Sequence, residues 1–274
     1  MLIAVRILVF LVAASPMLMA QSESPAVDVN ALVRRAIQHR LEESRNHRPV
    51  RYVIRQMNGH DDTTKEVIET KDGDVDRLVA VNGAPLSADA DRAEAARLDT
   101  LLNNPDQQQQ RSRNERKNKA RMEHLASLVP DAFVYRLEGV ESCTTGQCYR
   151  VSLSPNPQFN PPDRESSLFR GVAGTVWIDK TQERLERLDA HFIANVDFGF
   201  GILGRVNKGG TVLVEQTDAG GDEWVVTSLK LNVSGKVMMV KSFRRQVDQE
   251  MSHYSVIVPM SYREAIELLK KPAN

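Results

Sequence analysis

Apolar and polar positions alternate with a period of two over most of residues 171–258. In 174–179, for example, Val176 and Ile178 fall on one face of an extended strand and Trp177 on the other. This alternation, broken at glycine-containing turns, is typical of antiparallel strands with one buried face. The region has no helical segment long enough for the crossovers that parallel strands need. We therefore expect a long β-meander with strands at 174–179, 184–194, 211–216, 224–233, 236–245 and 251–258.

The first half of the chain mixes two further groups of strands with amphipathic helices. Strands are predicted at 51–57, 64–71 and 74–81, the last two joined by a hairpin signal at Asp72-Gly73, and at 133–141 and 149–154. Asp28 is positioned to cap a helix whose apolar stripe runs from Val29 to Leu41, and Ser87 caps a second helix that Asn103-Asn104-Pro105 should end. A small helix at 261–271 closes the chain.

The N-terminal residues have the parts of a secretory signal. Arg6 supplies the positive region, residues 7–14 the apolar core, and residues 17–20 a small-residue exit, so we expect residues 1–20 to be a signal peptide and the exported chain to begin near Gln21. A retained N-terminal membrane anchor is the alternative. The apolar run is short for a membrane span, and no later segment reaches about 18 uninterrupted apolar residues. We expect a periplasmic or secreted protein that is soluble after cleavage.

The charge balance argues against nucleic acid as a partner. The chain holds 36 basic and 36 acidic side chains, and removing residues 1–20 takes away Arg6 alone, so no basic excess is left for a phosphate backbone. The basic residues cluster locally, with six between Arg111 and Arg121. Their spacing with Glu115 and Glu123 favours an exposed helix. This helix is either a surface for anionic lipid head groups or a solvated connection between two parts of the sheet.

The two cysteines flank a short turn. Cys143 and Cys148 lie between the strands predicted at 133–141 and 149–154, with Gly146 in the turn. In an oxidising compartment, two thiols placed across such a turn should form a disulfide. A redox-active or metal-binding pair is the alternative. No histidine is adjacent, and the six histidines show no metal-ligand spacing, so we predict no metal site.

Residues 199–204 match the G-x-G-x-x-G pattern of dinucleotide-binding turns, but residues 205–210 break a helix where the motif requires one to begin. We interpret this segment as an apolar loop at the mouth of the sheet, a candidate lid formed by Phe198, Phe200, Ile202 and Leu203. No nucleophile elbow is present, and neither a Ser, His and Asp set nor a carboxylate pair can be singled out. We predict no catalytic residues, no enzyme activity and no cofactor.

The apolar face of the sheet has two possible uses. Helices fill it to make an ordinary core, or the sheet curves strongly and leaves a cavity for an apolar ligand. The candidate cavity residues are Val176, Ile178, Leu188, Phe192, Val212, Val214, Leu229, Leu231 and Met239. Methionine suits either use, because it fills irregular space and adapts to flexible ligands.

Several features together resemble the LolA-like superfamily of exported lipoprotein carriers, including proteins described as outer-membrane lipoprotein-sorting. They are the signal peptide without a cysteine at its exit, the amphipathic first helix and the strand group 51–81. Segment 174–179 followed by 184–188, and the late strand from Trp224 to 238–240, are also similar to segments of these lipoprotein-sorting proteins. The likeness covers most of the chain in order and pattern, and not in an exact motif. The stretch 107–121 departs from the compact carriers.

The resemblance implies an α+β fold: a strongly curved antiparallel β-sheet, or half-barrel, covered on its concave side by helices. Residues 21–274 would form one domain, with a charged helical insertion near 87–129. It implies a non-enzymatic carrier that binds acyl chains of lipids or lipoproteins and makes transient contact with membrane or envelope proteins. The alternative is a non-catalytic envelope scaffold whose half-barrel is filled and whose charged helix contacts another protein.

Overall fold

The structure, a computed structural model, describes residues 27–59, 61–198, 204–220, 223–238 and 241–271. The α-helices among them are α1 (Val29–Asn46), α2 (Ala88–Leu102), α3 (Pro105–Ala132) and α4 (Tyr262–Lys270). The strands of the first half are β1 (Val50–Asn58), β2 (Asp61–Ile68), β3 (Val75–Val81), β4 (Ala84–Pro85), β5 (Phe133–Cys143) and β6 (Gly146–Pro155). After a short 3₁₀ helix (Ser166–Gly171) come β7 (Val172–Asp179), β8 (Leu185–Phe192), β9 (Val196–Phe198), β10 (Gly204–Val206), β11 (Thr211–Asp218), β12 (Trp224–Val237) and β13 (Lys241–Val256).

The strands of the described residues form one sheet of thirteen strands, in the order β4-β3-β2-β1-β13-β12-β11-β8-β7-β6-β5. Every pair is antiparallel, and β9 and β10 attach beside β12. The N-terminal strand group joins the meander where β1 pairs with β13. The sheet ends at β4 on one side and at β5 on the other, so it is not closed. The predicted antiparallel meander and the mixed α and β content are confirmed.

Two strand boundaries were predicted wrongly. β12 continues through Ser234 and Gly235, where the sequence predicted a turn, and ends at Val237, and the strands predicted at 236–245 and 251–258 lie in the end of β12 and in the single strand β13. The pairing of β13 with β1 shifts between Arg51, opposite Ser255, and Val53, opposite Ser252. His253 lies inside this irregularity with φ of 55°. A β-bulge adds residues to one strand and changes the phase of the alternation without ending the strand. The break predicted at 246–250 has another cause. Gln246, Asp248, Gln249 and Glu250 put polar side chains on both faces there, while the pairing with β12 continues without a shift.

The second difference is at Pro105, which begins a helix where the sequence predicted only an end. Asn104 caps α3, its side chain accepting a hydrogen bond from the Gln107 N–H at 3.1 Å, and Pro105 takes the first helical position. Proline is favoured there because that residue's N–H has no partner within the helix. Helices α2 and α3 together occupy the region of the predicted charged insertion. Helix α3 is the longest of the described helices and packs along α1.

Two apolar cores hold the helices against the sheet. Leu32, Val33 and Ala36 of α1 pack with the inward side chains of β5, β6 and β7. A second cluster joins α2 and α4 to Ile68 of β2 and Val75 of β3. The predicted signal peptide lies outside the described residues, and none of the helices described is both long and apolar enough to cross a bilayer.

Candidate functional site

Eight of the nine candidate cavity residues lie on one face of the sheet. Val176 is opposite Leu188, Leu188 opposite Val214, and Val214 opposite Leu229. Directly paired residues of antiparallel strands share a face, and so do residues two positions apart along a strand. The remaining members of this face are therefore Ile178, Phe192, Val212 and Leu231. Met239 lies outside the described residues.

Burial along this face decreases from β7 towards β12. Val176, Ile178 and Phe192 are buried, and helix α1 packs over the first two. The others are only partly buried, namely Leu188, Val212, Val214, Leu229 and Leu231. The face is thus filled by an ordinary core under α1 and only partly covered over β11 and β12. That these residues line a ligand cavity stays a prediction.

A cavity of about 340 Å³ lies further along the same strands, between the second half of α1 and strands β1, β12 and β13. Its floor includes Val226, Met251, Tyr52 and Tyr254. The two tyrosine rings stack with centroids 5.1 Å apart, and the Tyr254 hydroxyl donates to the Val226 carbonyl oxygen at 2.5 Å. Burial raises the pKa of both tyrosines well above the ordinary value. The floor is therefore an aromatic and aliphatic surface of low polarity.

The side of the cavity opposite this floor is charged. Arg40, Glu43 and His47 of α1 line it, together with Lys119 of α3. Glu43 accepts a hydrogen bond from the Arg184 guanidinium at 2.5 Å and is largely buried, and burial raises its pKa despite that partner. A ligand in this space would contact apolar side chains on one side and ionic groups on the other. Such a lining suits an amphiphile.

A second, wider cleft of about 570 Å³ adjoins the first and shares His47, Glu69 and Lys119 with it. It is bounded by the end of α1, the β2–β3 turn and the middle of α3, which contributes Glu115. Asp74 enters it from the turn. Most of the side chains that line the cleft are polar or charged, whereas the floor of the smaller cavity is aromatic and aliphatic. The fold thus brings the middle of α3 beside the end of α1 and the β2–β3 turn.

His47, the C-cap of α1, joins the helix to the residue after β2 and the residue before β12. Its Nδ1 lies 2.5 Å from Glu223 Oε1 and its Nε2 lies 2.5 Å from Glu69 Oε2. Both ring nitrogens can donate only when the imidazole is protonated. The bond to Glu69 accordingly raises the pKa of His47, against an opposing effect of burial. Glu223 is buried and also pairs with Arg48 at 3.3 Å.

Asp74 is crowded by other carboxylates. The Glu115 carboxylate accepts from the Asp74 backbone N–H at 3.3 Å, so the two acidic residues are neighbours. Partial desolvation in the cleft, together with the negative charges of Glu69 and Glu115, raises the pKa of Asp74 to about 7. Its side chain still reaches solvent in the cleft. Burial also raises the pKa of Glu115. This group of carboxylates was not found from the sequence, because no local spacing connects its members.

The predicted disulfide between Cys143 and Cys148 is present. Two buried carboxylates, Asp179 and Glu186, lie beside it, and their oxygens and the two sulfurs are within 4.8 Å of one another. The carboxylates have hydrogen-bond donors, including the Thr145 hydroxyl at 2.6 Å from Asp179 and 2.5 Å from Glu186. The sulfurs are bonded to each other and offer no thiolate. This group therefore anchors the hairpin.

Of the four candidate lid residues, only Phe198 is among those described. It ends β9, where it pairs with Gly204 of β10. Phe200, Ile202 and Leu203 lie outside the described residues. The lid therefore stays a prediction.

Comparison with known proteins gives distant structural likenesses alone. No family model and no curated protein matches the chain. A DUF1329 family protein from Desulfovibrio piger is similar over 84% of this chain and 95% of its own, at 11% identity and a TM-score of 0.28. An outer membrane lipoprotein-sorting protein domain from Vibrio parahaemolyticus is similar over 87% of this chain and 100% of its own, at 10% identity and a TM-score of 0.26. The second belongs to the class that the sequence resembles, but with TM-scores this low we draw nothing on function from either.

Proposed function

We propose that this protein is a non-enzymatic periplasmic carrier that binds the acyl chains of lipids or lipoproteins and moves them through the cell envelope. Residues 21–274 would act as a single domain, with the sheet curved around the bound chains and the helices on its concave side. The observation that supports this most is the continuity of one apolar face from the α1 core, across β11 and β12, to the cavity beside β13.

The pairing of β12 with β11 and β13 shows how the apolar face continues. Leu231 of β12 is opposite Val212 of β11 and Val247 of β13, and all three are partly buried. Four residues further along β13, past Gln249 and on the same face, Met251 enters the floor of the cavity. Each acyl methylene moved from water to such a surface contributes about 0.8 kcal/mol. The charged rim around His47 and Lys119 would then face the polar end of the cargo.

The first test asks whether the protein carries cargo. Native mass spectrometry of protein purified from its own host should show adducts with the masses of lipids or acylated peptides. Binding of a fluorescent fatty acid should then be displaced by the extracted material. Protein that is free of adducts and also ignores the fluorescent fatty acid would refute the carrier role.

The second test locates the cargo with a matched pair of variants. Leu231→Lys places a charge on the apolar face, whereas Asn232→Lys places the same charge on the exposed opposite face of the same strand. We expect Leu231→Lys to weaken fatty-acid binding at least tenfold, because the ammonium group would be desolvated against the acyl chain. Asn232→Lys should bind as the wild type does. Equal affinity in both variants would show that the cargo lies elsewhere.

A third pair addresses the cavity itself. Met251→Trp adds volume to the cavity floor, and Ser252→Trp adds the same side chain at the next, exposed position. Loss of binding in the first variant alone is the expected result. If cross-linking in cells instead captures a protein at α3 and no cargo at β12, the scaffold alternative replaces the carrier.

A further inference from the structure

The end of the β12–β13 hairpin extends past its neighbouring strands. The two strands pair in register from Ser228–Glu250 to Val237–Lys241. The described pairing of β13 with β1 reaches only to Gln249, and that of β12 with β11 only to Asn232. Beyond these points the hairpin is flanked, within the described residues, only by the three-residue strand β10. Its end is therefore a projection from the edge of the sheet.

The described end of this projection is apolar and exposed. Val237 is 44% exposed and Met238 is 70% exposed, the latter at the turn with φ of 50°. β10 begins beside this end, with Gly204 opposite Val237. Large apolar side chains at the tip of a projecting hairpin contribute nothing to the core. Their exposure costs free energy in water and is typical of a contact surface.

Basic side chains surround this apolar end. Lys236, Lys241, Arg244 and Arg245 are all exposed, and none forms an ion pair with another residue that the structure describes. Between positions 230 and 248 the sequence has five basic residues and one acidic residue. That acidic residue, Asp248, lies 3.8 Å from Lys230, further from the tip. We call the six residues Val237, Met238, Lys236, Lys241, Arg244 and Arg245 the hairpin tip.

We propose that the hairpin tip docks on the surface of an anionic lipid bilayer. Val237 and Met238 enter the head-group region, and the four basic side chains contact the lipid phosphates. An apolar end with a basic surround matches a membrane surface in both respects, since it has apolar depth below a layer of negative charge. A protein partner would need a shaped apolar pocket for Met238, whereas a bilayer accepts an irregular tip. The proposal does not depend on the carrier role, because docking can be measured without cargo.

The basic helix α3 is the competing surface, and its charges are differently placed. Arg121 pairs with Glu165 at 2.5 Å, the Arg116 guanidinium donates to the Ser112 hydroxyl at 2.6 Å, and Lys119 donates to the Ser44 carbonyl oxygen. These side chains already have partners within the protein. Met122 on the same helix is 63% exposed, so α3 offers an apolar and basic control of the same chemistry.

The test is vesicle co-sedimentation of the mature chain with two lipid compositions, phosphatidylcholine alone and phosphatidylcholine with about one third phosphatidylglycerol. We expect binding to the anionic vesicles only, and its loss at about 1 M salt, where screening is almost complete. Lys236→Gln and Lys241→Gln should each weaken binding about fivefold, the value of one charge near the surface. Met238→Ser should weaken it on the order of tenfold through lost apolar burial.

The matched controls are Lys117→Gln and Met122→Ser on α3, which should bind as the wild type does. All these side chains are exposed, so thermal unfolding should be the same in each variant. Equal binding to both compositions, no binding to either, or control variants that weaken binding as much as the tip variants would each overturn the proposal. None of these results alters fatty-acid binding by the wild type, so the carrier proposal is tested separately.

Discussion

Replacing Asp74 by Asn should stabilise the protein in neutral and alkaline solution. The substitution keeps the shape of the side chain and removes a negative charge that lies near Glu69 and Glu115. It also leaves the backbone N–H of residue 74, which donates to Glu115, in place. The only large change is therefore electrostatic. A neutral amide in the cleft relieves the repulsion among the carboxylates at every pH at which Asp74 would be ionised.

The size and the pH window follow from the pKa of Asp74, which rises from 3.8 to about 7 on folding. At 1.36 kcal/mol per unit, the full shift corresponds to about 4 kcal/mol. The side chain reaches solvent in the cleft, so screening reduces this to about 1–2 kcal/mol. Because the folded pKa is the higher one, the wild type loses this stability as the pH rises from about 4 through 7. The advantage of Asp74→Asn is therefore largest near pH 8 and decreases towards pH 4.

Urea unfolding of the wild type and the variant at pH 4.5, 6, 7 and 8.5 measures this difference directly. Asp72→Asn is the matched control, because it removes a carboxylate from the same turn at a position that does not line the cleft. We expect the control to follow the wild type across the series. The reasoning would be refuted if Asp74→Asn stabilised the protein equally at pH 4.5 and 8.5, or if Asp72→Asn stabilised it as much. Either result would show that repulsion of Asp74 by Glu69 and Glu115 is not what destabilises the wild type.

Three further predictions concern the ion pairs of His47, the disulfide and the sheet, each measured by urea unfolding. His47→Gln should lower the free energy of unfolding by about 1 kcal/mol at pH 5.5 and by almost nothing above the raised pKa of His47. The His47 ring stabilises the fold through its ion pairs only while it is protonated, and solvent partly screens these pairs. A loss independent of pH would contradict this. Replacing Cys143 and Cys148 by Ser should cost about 2 kcal/mol, as expected for a loop this short, and reductant should then have no further effect. Gly174→Ala should cost about 2 kcal/mol, because a Cβ there would lie 2.7 Å from Ala190 Cα; an unchanged midpoint would show that β7 and β8 separate easily.

The strands could be predicted well because each one carries its own signal. The alternation in 174–179 depends only on which residues face the core, and β7 runs to Asp179 as expected. The same is true of the capped helices, since Asp28 and Ser261 accept the hydrogen bonds that cap α1 and α4. Failures occurred where an element depends on its partner. Gly235 suggested a turn, but it lies inside β12 opposite Phe243 of β13, and only that pairing shows that the strand continues.

The sequence predicted which residues share the apolar face, but none of the eight described candidates lines the cavity between α1 and strands β1, β12 and β13. Leu188, Val214 and Leu229 share a face because strand periodicity fixes the face of each one separately. The polar side depends on where the end of α1 meets the β2–β3 turn. His47 and Glu223 are 176 positions apart, and their 2.5 Å contact follows from the packing of a helix on a sheet, for which the sequence has no local signal.

Two groups of carboxylates in this protein differ in how well they are compensated, and the difference argues for where function lies. Beside the disulfide, Asp179 accepts backbone N–H donors from Thr181 at 2.9 Å and Gln182 at 2.6 Å, and Glu186 accepts from Thr144 at 2.5 Å. Such carboxylates are satisfied and serve the hairpin. In the cleft, Asp74 has neighbouring negative charges and a pKa of about 7. The same cleft is also lined by Lys71, Arg116 and Lys119, so it holds ionisable groups of both signs, and a raised carboxyl pKa in a cleft marks a candidate ligand site. The cleft, and not the carboxylates beside the disulfide, is therefore the place to test for binding of a charged ligand group.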